Sequence, residues 1–568
     1  MSSLNRSEST KHYWRSLDHL EETPEFQEMV AKEFPAGPDG EWSDTSRRRF
    51  LQLMGASVAL GTASSCRWQK ETLMPFADRP EGWVPGKPRH YSTSMEVTGV
   101  GQALTVTSYD GRPTKIEGNQ AHPSSLGATN SWAQAGTLGL YDPDRSRGVL
   151  ALEGDKETPS SWKSFSAFSK IEFARLSATQ GEGLAIVAPI TSSPSFLRAR
   201  RQFQKTFPKA LWVDWEACSY QAEAMGTERV FGKAARGIYD LDKADVILSL
   251  EDDLMGTHPN AVRHSRDFAT RRKPEDGPMN RLWVVEANHS LTGALADHRF
   301  ALRSGQIGAF LVALEAELLK KGGIKIPEAR QLMKHPPQGG FLAKDKVKAL
   351  LKALAQDLLH AKGKSLVAVG AHQPAEVIAR AHRLNVLLGS VGNTVTYADV
   401  SRIPTANLSA STELVARMRQ GSVQTLITLG GNPVYDMPAD LNFAAAYGKV
   451  KNRIHLGHYL DETGVVSTWH LPQAHFLECW NDSLSWNGTW TLAQPTMEPL
   501  WSGRSATELL GLVMGGETSG EAWVRQAWSD AGLGGETEWR KTVQAGFVAG
   551  ASLETLRGTS APLPLPKM

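Results

Sequence analysis

Short apolar runs alternate with longer amphipathic segments through most of the chain. The runs lie at 184–189, 210–215, 244–250, 281–287, 365–371 and 425–431. Continuous apolar runs of this length are typical of parallel strands buried on both faces, and the intervening segments are long enough to be crossover helices. The pattern predicts an α/β chain with doubly wound, mostly parallel sheets.

A different pattern precedes these runs, because residues 101–119 read GQALTVTSYDGRPTKIEGN and alternate apolar with polar positions. Asp110 and Gly111 form a dipeptide that favours a two-residue hairpin turn. The segment therefore predicts a hairpin in a small β-rich region. We expect the following division of the chain: a polar N-terminal region with an export signal at 1–66, the β-rich region at 67–150, α/β domains at 151–370 and 371–515, and a helical segment with a proline-rich tail at 516–568.

The N-terminal region contains SRRRFLQLMGASVALGTASSC at 46–66, an arginine pair followed by an apolar run. The run is too short to span a bilayer, which takes about 20 apolar residues, but it has the length of a signal-peptide h-region. We interpret the segment as a twin-arginine export signal rather than a core helix behind a chance basic cluster, which predicts a folded protein on the periplasmic side of the cytoplasmic membrane. The residues of the motif are Arg47, Arg48, Phe50 and Leu51. Cys66 is either a lipid-modified residue at the mature start or an ordinary small residue near a cleavage site.

Charge and cysteine content exclude two classes of function. The chain has 62 basic and 60 acidic residues, a net charge of +2, which argues against a nucleic-acid partner. Its three cysteines are Cys66, Cys218 and Cys479, and they form no C-x-x-C or C-x-x-C-H motif. The chain alone cannot build a four-cysteine iron-sulfur site or attach haem covalently, so we expect electrons to be carried elsewhere.

Several of the predicted strands end at glycine, proline or asparagine. The segment LGGNP places Gly430, Gly431, Asn432 and Pro433 after the last run. In open α/β sheets such strand ends form the crevice that binds ligands, so these four residues are candidates for a vestigial cofactor crevice. The alternative is that they are ordinary turn and cap residues.

Histidines and carboxylates also cluster near strand ends. Four histidines fall within 21 residues: His455, His458, His470 and His475. A metal site is one interpretation, but IHLGHY has the pattern of a strand leading into a loop and no Cys or Glu follows at matching spacing, which favours structural histidines and no metal. The acidic run at 251–253 is interpreted as a solvated loop, because paired catalytic carboxylates would need a pocket.

Tryptophan is frequent, with 17 in the chain, and WNDSLSWNGTW at 480–490 contains three of them. Trp480, Trp486 and Trp490, with turn residues between them, suit a protein interface or a hairpin-like packing platform. Burial in a core is the alternative.

Several segments resemble the molybdopterin oxidoreductase superfamily in the same order: DGRPTKIEGNQAHPSSLG, AQAGTLGLYDPDRSRG, DLDKADVILSLEDDLMGTHP, LGGNPVYDMP and STWHLPQAHFLE. In addition, YWRSLDHLEETPEFQEMVAKEFP ahead of the export motif is similar to the leader of the periplasmic, molybdopterin-oxidoreductase-like component of alternative complex III. The resemblance implies a molybdopterin-oxidoreductase-like fold and a quinol-oxidising membrane complex. It also implies partners that carry the redox groups: an iron-sulfur ferredoxin-like subunit, a multihaem cytochrome c subunit and membrane quinol-oxidising subunits.

The chain departs from that superfamily at the residues that hold cofactors. Members commonly carry a four-cysteine cluster motif that begins just before the DGR hairpin and is completed after the HP-containing turn. The corresponding residues here, 90–99 and 126–132, contain no cysteine. The lysine between cluster and pterin is missing from SWAQAG, and the acidic PGTD-type loop is replaced by SGQI at Ser304–Ile307. We therefore expect a non-catalytic subunit without its own cofactor. The resemblance also leads us to expect that the C-terminal barrel domain is absent, from a split gene or a truncation.

Cys218 is the one residue that favours an active enzyme. It lies about where the superfamily places its molybdenum-ligating cysteine, so the alternative function is a molybdopterin oxidoreductase of the polysulfide or thiosulfate reductase type. Ala217 and Ser219 replace the usual neighbours. A buried small apolar side chain is therefore the preferred interpretation of Cys218.

Overall fold

The structure is a computed structural model that describes residue 21, residues 23–33, residue 84 and residues 86–556 except 155, 336 and 338. The chain divides into two units, Met1–Glu81 and Gly82–Met568. In the first unit the described residues form a helix, α1 (Pro24–Glu33). The export motif and Cys66 lie outside the described residues.

Strands and helices alternate through the second unit. The strands of its described part are β1 (Arg89–Val97), β2 (Val100–Tyr109), β3 (Arg112–Gly118), β4 (Leu150–Glu153), β5 (Lys156–Pro159), β6 (Leu184–Ala188), β7 (Leu211–Asp214), β8 (Ala235–Tyr239), β9 (Val246–Leu250), β10 (Arg281–Glu286), β11 (His298–Ala301), β12 (Ser365–Val369), β13 (Val395–Asp399), β14 (Thr425–Leu429), β15 (Asn452–Gly457), β16 (Trp469–Pro472), β17 (Asn481–Leu484), β18 (Trp490–Ala493) and β19 (Thr555–Leu556). The helices there are α2 (Ser131–Leu140), α3 (Trp162–Ala178), α4 (Pro194–Thr206), α5 (Gln221–Phe231), α6 (Ala261–Thr270), α7 (Leu291–Ala294), α8 (Ile307–Lys320), α9 (Ala329–Lys334), α10 (Asp345–His360), α11 (Ala375–Leu387), α12 (Leu408–Arg419), α13 (Pro433–Asp436), α14 (Phe443–Tyr447), α15 (Glu462–Val465), α16 (Ala506–Val513), α17 (Gly520–Asp530) and α18 (Glu536–Ala545).

The β-rich region is an antiparallel sheet with the order β1-β2-β3. Tyr109 pairs with Arg112 across a two-residue turn, and both turn residues, Asp110 and Gly111, have positive φ (49° and 81°). Such a turn matches the right-handed twist of the flanking strands, which is why Asp-Gly is favoured there. The predicted hairpin is confirmed.

The larger α/β sheet has the order β5-β4-β16-β15-β14-β6-β7. Its five strands from β16 to β7 run parallel, and β4 and β5 form an antiparallel edge. Every residue of β6 and β14 is buried because helices cover both faces of the sheet. The sheet joins chain segments from both predicted α/β domains.

A second parallel sheet has the order β11-β10-β9-β12, and a small antiparallel sheet has the order β19-β13-β8. The main apolar core lies between the second sheet and helices α8, α10 and α11. All six apolar runs form parallel strands, so the predicted doubly wound α/β class is confirmed. No helix in the described parts of the chain is long and apolar enough to cross a bilayer.

Candidate functional site

The candidate site lies where the parallel strands of the two α/β sheets end. The loops after β6, β7 and β14 form the carboxyl edge of the larger sheet, and the loops after β9 and β12 form that of the second sheet. Ligands of open α/β folds bind at this edge. We call the region the crevice and define it by these five loops.

The hairpin β17–β18 is fastened to the loop after β6. Leu484 N donates to Ser192 Oγ at 2.9 Å, and Ser193 Oγ donates to the buried carboxylate of Asp482 at 2.5 Å. The backbone N–H and hydroxyl of Ser195 also donate to Asp482, at 3.1 and 2.7 Å. The base of the hairpin is therefore fixed to the carboxyl edge of the larger sheet.

The tip of the same hairpin reaches β8 of the small sheet and the loop after β9 through Trp486, which is 2% exposed. Its Nε1 donates to Gly237 O at 2.9 Å, the guanidinium of Arg236 lies 4.1 Å from its ring centre, and the His258 ring lies 4.8 Å away. His258 belongs to the loop after β9, so one hairpin closes both halves of the crevice. Trp486 and Trp490 are core residues, so of the interpretations that the sequence left open, burial in a core holds at these two positions, because packing inside the chain covers both indoles.

Carboxyl groups gather beside the base of the hairpin. Glu96 accepts hydrogen bonds from Thr191 Oγ1 and Ser192 N, each at 2.7 Å, and burial raises its pKa to about 7. Burial, together with the nearby charges of Glu96 and Asp436, raises the pKa of Glu216 to about 8. Glu216 Oε2 is buried without a hydrogen-bond partner among the described residues. These carboxyls can hold protons near neutral pH.

Cys218 lies two residues beyond Glu216, in the loop after β7, and is exposed. The prediction of a buried small side chain is therefore wrong, because the loop turns outward before α5 begins. Cys479 is the buried free cysteine of the described chain. Its thiol has its pKa raised by burial, so it stays protonated.

The loop after β14 contains Gly430 and Gly431, with φ of 74° and 71°, ahead of Pro433 at the start of α13. Asn432 Oδ1 accepts from Thr463 Oγ1 at 2.8 Å and Thr463 N at 3.2 Å, while its Nδ2 donates to Glu462 at 2.6 Å. The Asn432 amide is thus used to bind the start of α15, the helix that follows β15. The four predicted crevice residues do lie at a strand end, but the polar side chain among them is already engaged.

Two of the predicted histidines form a chain of hydrogen bonds in which each donor can be assigned. His455 and His470 are register neighbours in β15 and β16, with Nδ1 atoms 3.1 Å apart. His455 Nε2 lies 3.4 Å from Gly431 O and must donate because a carbonyl only accepts. His455 Nδ1 then accepts from His470, whose Nε2 accepts from Ser146 Oγ at 2.6 Å. Burial lowers the pKa of His470 to about 3, so this chain is neutral and holds the loop after β14.

The other two histidines, His458 and His475, lie beside a buried ion pair. Arg145 donates to both carboxylate oxygens of Glu478, at 3.1 and 2.7 Å, and Glu478 also accepts from His475 N at 2.8 Å. Burial lowers the pKa of His458 to about 4 and of His475 to about 3. Within the described residues, no three His, Cys, Asp or Glu side chains are placed to hold a metal ion.

At the second sheet, the acidic run is not a solvated loop, and that prediction is wrong. Glu251 accepts hydrogen bonds from Gln373 Nε2 at 2.6 Å, Ser304 Oγ at 2.7 Å, His372 Nε2 at 2.9 Å and Ala287 N at 3.0 Å. Asp252 is buried, with its pKa raised by burial. The acidic residues instead accept hydrogen bonds from the surrounding loops and so hold these loops together.

The residues of the crevice do not fit a pterin dinucleotide. Its phosphates would need cations or free backbone N–H groups, as at helix N-termini and basic side chains. Here Glu251 and Asp482 take the donors at two strand ends, Glu96 and Glu216 add further carboxyls, and the Trp486 indole is buried against β8 and the loop after β9. Each of these groups comes from the chain itself.

Comparison with solved structures identifies the architecture. Acetylene hydratase from Pelobacter acetylenicus superposes with a TM-score of 0.59 over 75% of this chain and 69% of that chain, at 13% identity. The chain has the molybdopterin oxidoreductase fold. Its sequence is 24% identical over 513 residues to the menaquinone reductase molybdopterin-binding-like subunit of Nitratidesulfovibrio vulgaris. The matched region covers 83% of this chain and 72% of that relative. No protein-family model matches the chain.

Sequence reasoning missed Glu96, Glu216 and Asp482. Glu96 and Asp482 are charged residues in β1 and β17, and Glu216 is the second residue after β7. A carboxylate inside a short strand is unusual enough to suggest a buried role. Nothing in the local pattern, however, indicates that Glu96 and Asp482 meet on the loop after β6 or that Glu216 lies near Glu96.

Proposed function

We propose that this chain is a non-catalytic, molybdopterin-oxidoreductase-like subunit of a quinol-linked electron-transfer complex. The observation that carries the proposal is that the chain's own hairpin and carboxyl groups take up hydrogen-bonding groups of the crevice loops. The similarity to a menaquinone reductase subunit supports the link to quinol chemistry. The fold then serves as a rigid body that holds electron carriers rather than as an enzyme.

In this proposal the redox groups belong to partners. An iron-sulfur subunit and a multihaem cytochrome c subunit would dock on the chain, close to membrane subunits that oxidise quinol, as in alternative complex III. The export motif supports a periplasmic position. The chain itself would bind no pterin, molybdenum or cluster.

The test is elemental analysis of the natively exported protein and its co-purifying partners by inductively coupled plasma mass spectrometry. We expect iron that is lost when the partners are removed, and no stoichiometric molybdenum or tungsten. Molybdenum or tungsten near one atom per chain, together with pterin, would overturn the proposal.

A second candidate is an active molybdopterin enzyme, favoured by the exposure of Cys218 at a strand end. Cys218→Ala would then abolish turnover of the complex without changing its assembly, while Ser219→Ala in the same loop would not. Equal activity of both variants supports the non-catalytic subunit. Loss of activity in the Cys218 variant alone supports the enzyme.

A further inference from the structure

Positive charge is concentrated in one part of the second unit. Residues 320–364 contain eleven Lys and Arg residues against three Asp and Glu, a net charge of +8, although the whole chain carries only +2. The stretch runs from the end of α8 through α9 and α10 to the start of β12. The rest of the chain is therefore net acidic.

Few carboxylates neutralise this charge. Glu328 and Asp357 are bound to Arg383 and Arg281, which lie outside the stretch, and Asp345 pairs with Lys348 within its own helix. Lys362 donates to Gly323 O at 3.3 Å. Seven other exposed cations of the stretch have no carboxylate at ion-pair distance among the described residues: Lys321, Lys325, Arg330, Lys334, Lys344, Lys346 and Lys352. We call these seven residues, with Lys320 and Lys348, the basic face.

A cavity of about 360 Å³ opens between α8 and α10 within this face. Ala313, Ala316, Leu342 and Leu351 supply apolar walls. Lys320, which is paired with Glu317 in the same lining, Lys348 and Lys352 also line it. Helix α10 turns Val347, Leu351 and Leu354 to the core, so Lys348 and Lys352, one turn apart, point outward. The site combines an apolar interior with ammonium groups.

We propose that the basic face binds the surface of an anionic phospholipid bilayer. Of the eleven cations in the stretch, ten are lysine. Protein interfaces are depleted in lysine and enriched in arginine, whereas clustered lysines are attracted to anionic lipids. The cavity can accept the glycerol and upper acyl part of one lipid while the lysines meet its phosphate. This inference is independent of the proposed electron-transfer role.

The test measures binding of the full chain to vesicles by flotation at low salt. One set of vesicles is phosphatidylcholine alone, and the other contains one quarter phosphatidylglycerol. The variant is Lys344→Glu, Lys346→Glu and Lys352→Glu. Lys344 is the N-cap of α10 and Lys346 lies in its first turn, where the helix dipole favours carboxylates, so we expect the fold to be retained. The control, with the same change in charge, is Lys163→Glu, Lys170→Glu and Lys205→Glu on α3 and α4.

We expect the chain to prefer the anionic vesicles and to lose that preference at about 1 M salt, where the Debye length is about 3 Å. Each lysine near the membrane surface raises the affinity for anionic lipid roughly fivefold, so the basic-face variant should bind anionic vesicles roughly 100-fold more weakly. The control variant should bind them as the original chain does. Any apolar anchor in residues 1–83 is common to all variants and cancels in the comparison.

Equal binding of both variants to anionic vesicles would overturn the proposal. The proposal would also be overturned if the basic face bound polyglutamate, an acidic polypeptide, while its substitutions left binding to the vesicles unchanged. Neither outcome bears on the metal content, which tests the proposed function separately.

Discussion

Replacing Trp486 tests whether the hairpin closes the crevice. Trp486→Ala removes a 2% exposed indole, its hydrogen bond to Gly237 O at 2.9 Å and its contact with the Arg236 guanidinium at 4.1 Å. Truncation of a buried tryptophan costs about 3–5 kcal/mol, because transfer and cavity costs add. Trp486→Phe keeps a ring but leaves a buried carbonyl without its donor, which costs about 1–3 kcal/mol.

The assay is the free energy of unfolding in urea, with hydrogen exchange of residues 481–493 as a local measure. Trp132→Ala is the matched control, because that indole is 69% exposed and its loss should change stability by about 0.5 kcal/mol or less. If Trp486→Ala costs less than about 1 kcal/mol and hairpin exchange is unchanged, the tip is not anchored and the argument for a closed crevice fails.

Three further predictions concern the surroundings of the crevice. The pKa of Glu96 is raised to about 7 and that of Glu216 to about 8, so the folded chain holds protons that the unfolded chain releases, and stability should rise as pH falls from 8 to 6.5. Gln at both positions should reduce that rise in urea titrations, and buried Glu223, whose pKa is also raised to about 7, should maintain the remainder. Below pH 6.5 the buried neutral histidines reverse the trend, because only the unfolded chain accepts their protons. Glu478→Gln leaves buried Arg145 without its counter-charge and should lower the free energy of unfolding by about 3–5 kcal/mol. The control, Glu413→Gln in an exposed ion pair, should lower it by less than about 1 kcal/mol. Similar losses in the two variants would contradict the reasoning from burial. Gly430→Ala forces a side chain into φ of 74° and should cost about 1–2 kcal/mol, measured in the same way, and a neutral result would show that the loop relaxes.

The sequence alone determined the local features of the fold. Continuous apolar runs predicted the six parallel strands because strands buried on both faces need no polar alternation. Asp110 and Gly111 predicted their turn because its positive φ values restrict the residues that fit. The sequence also showed that no four-cysteine cluster can form, since that depends only on composition.

Only the tertiary structure decided what occupies the strand ends. Ser192 and Leu484, 292 residues apart, meet because β6 and the hairpin lie at the same edge. The pairing of His455 with His470 follows from the register of two parallel strands, which the spacing of the histidines along the chain does not determine. The burial of Trp486 decided between interpretations that the sequence left open, and the exposure of Cys218 reversed the preferred one, because burial depends on which distant segment packs against a residue. Contacts of this kind are set by how the chain returns on itself, and a local pattern does not contain that information.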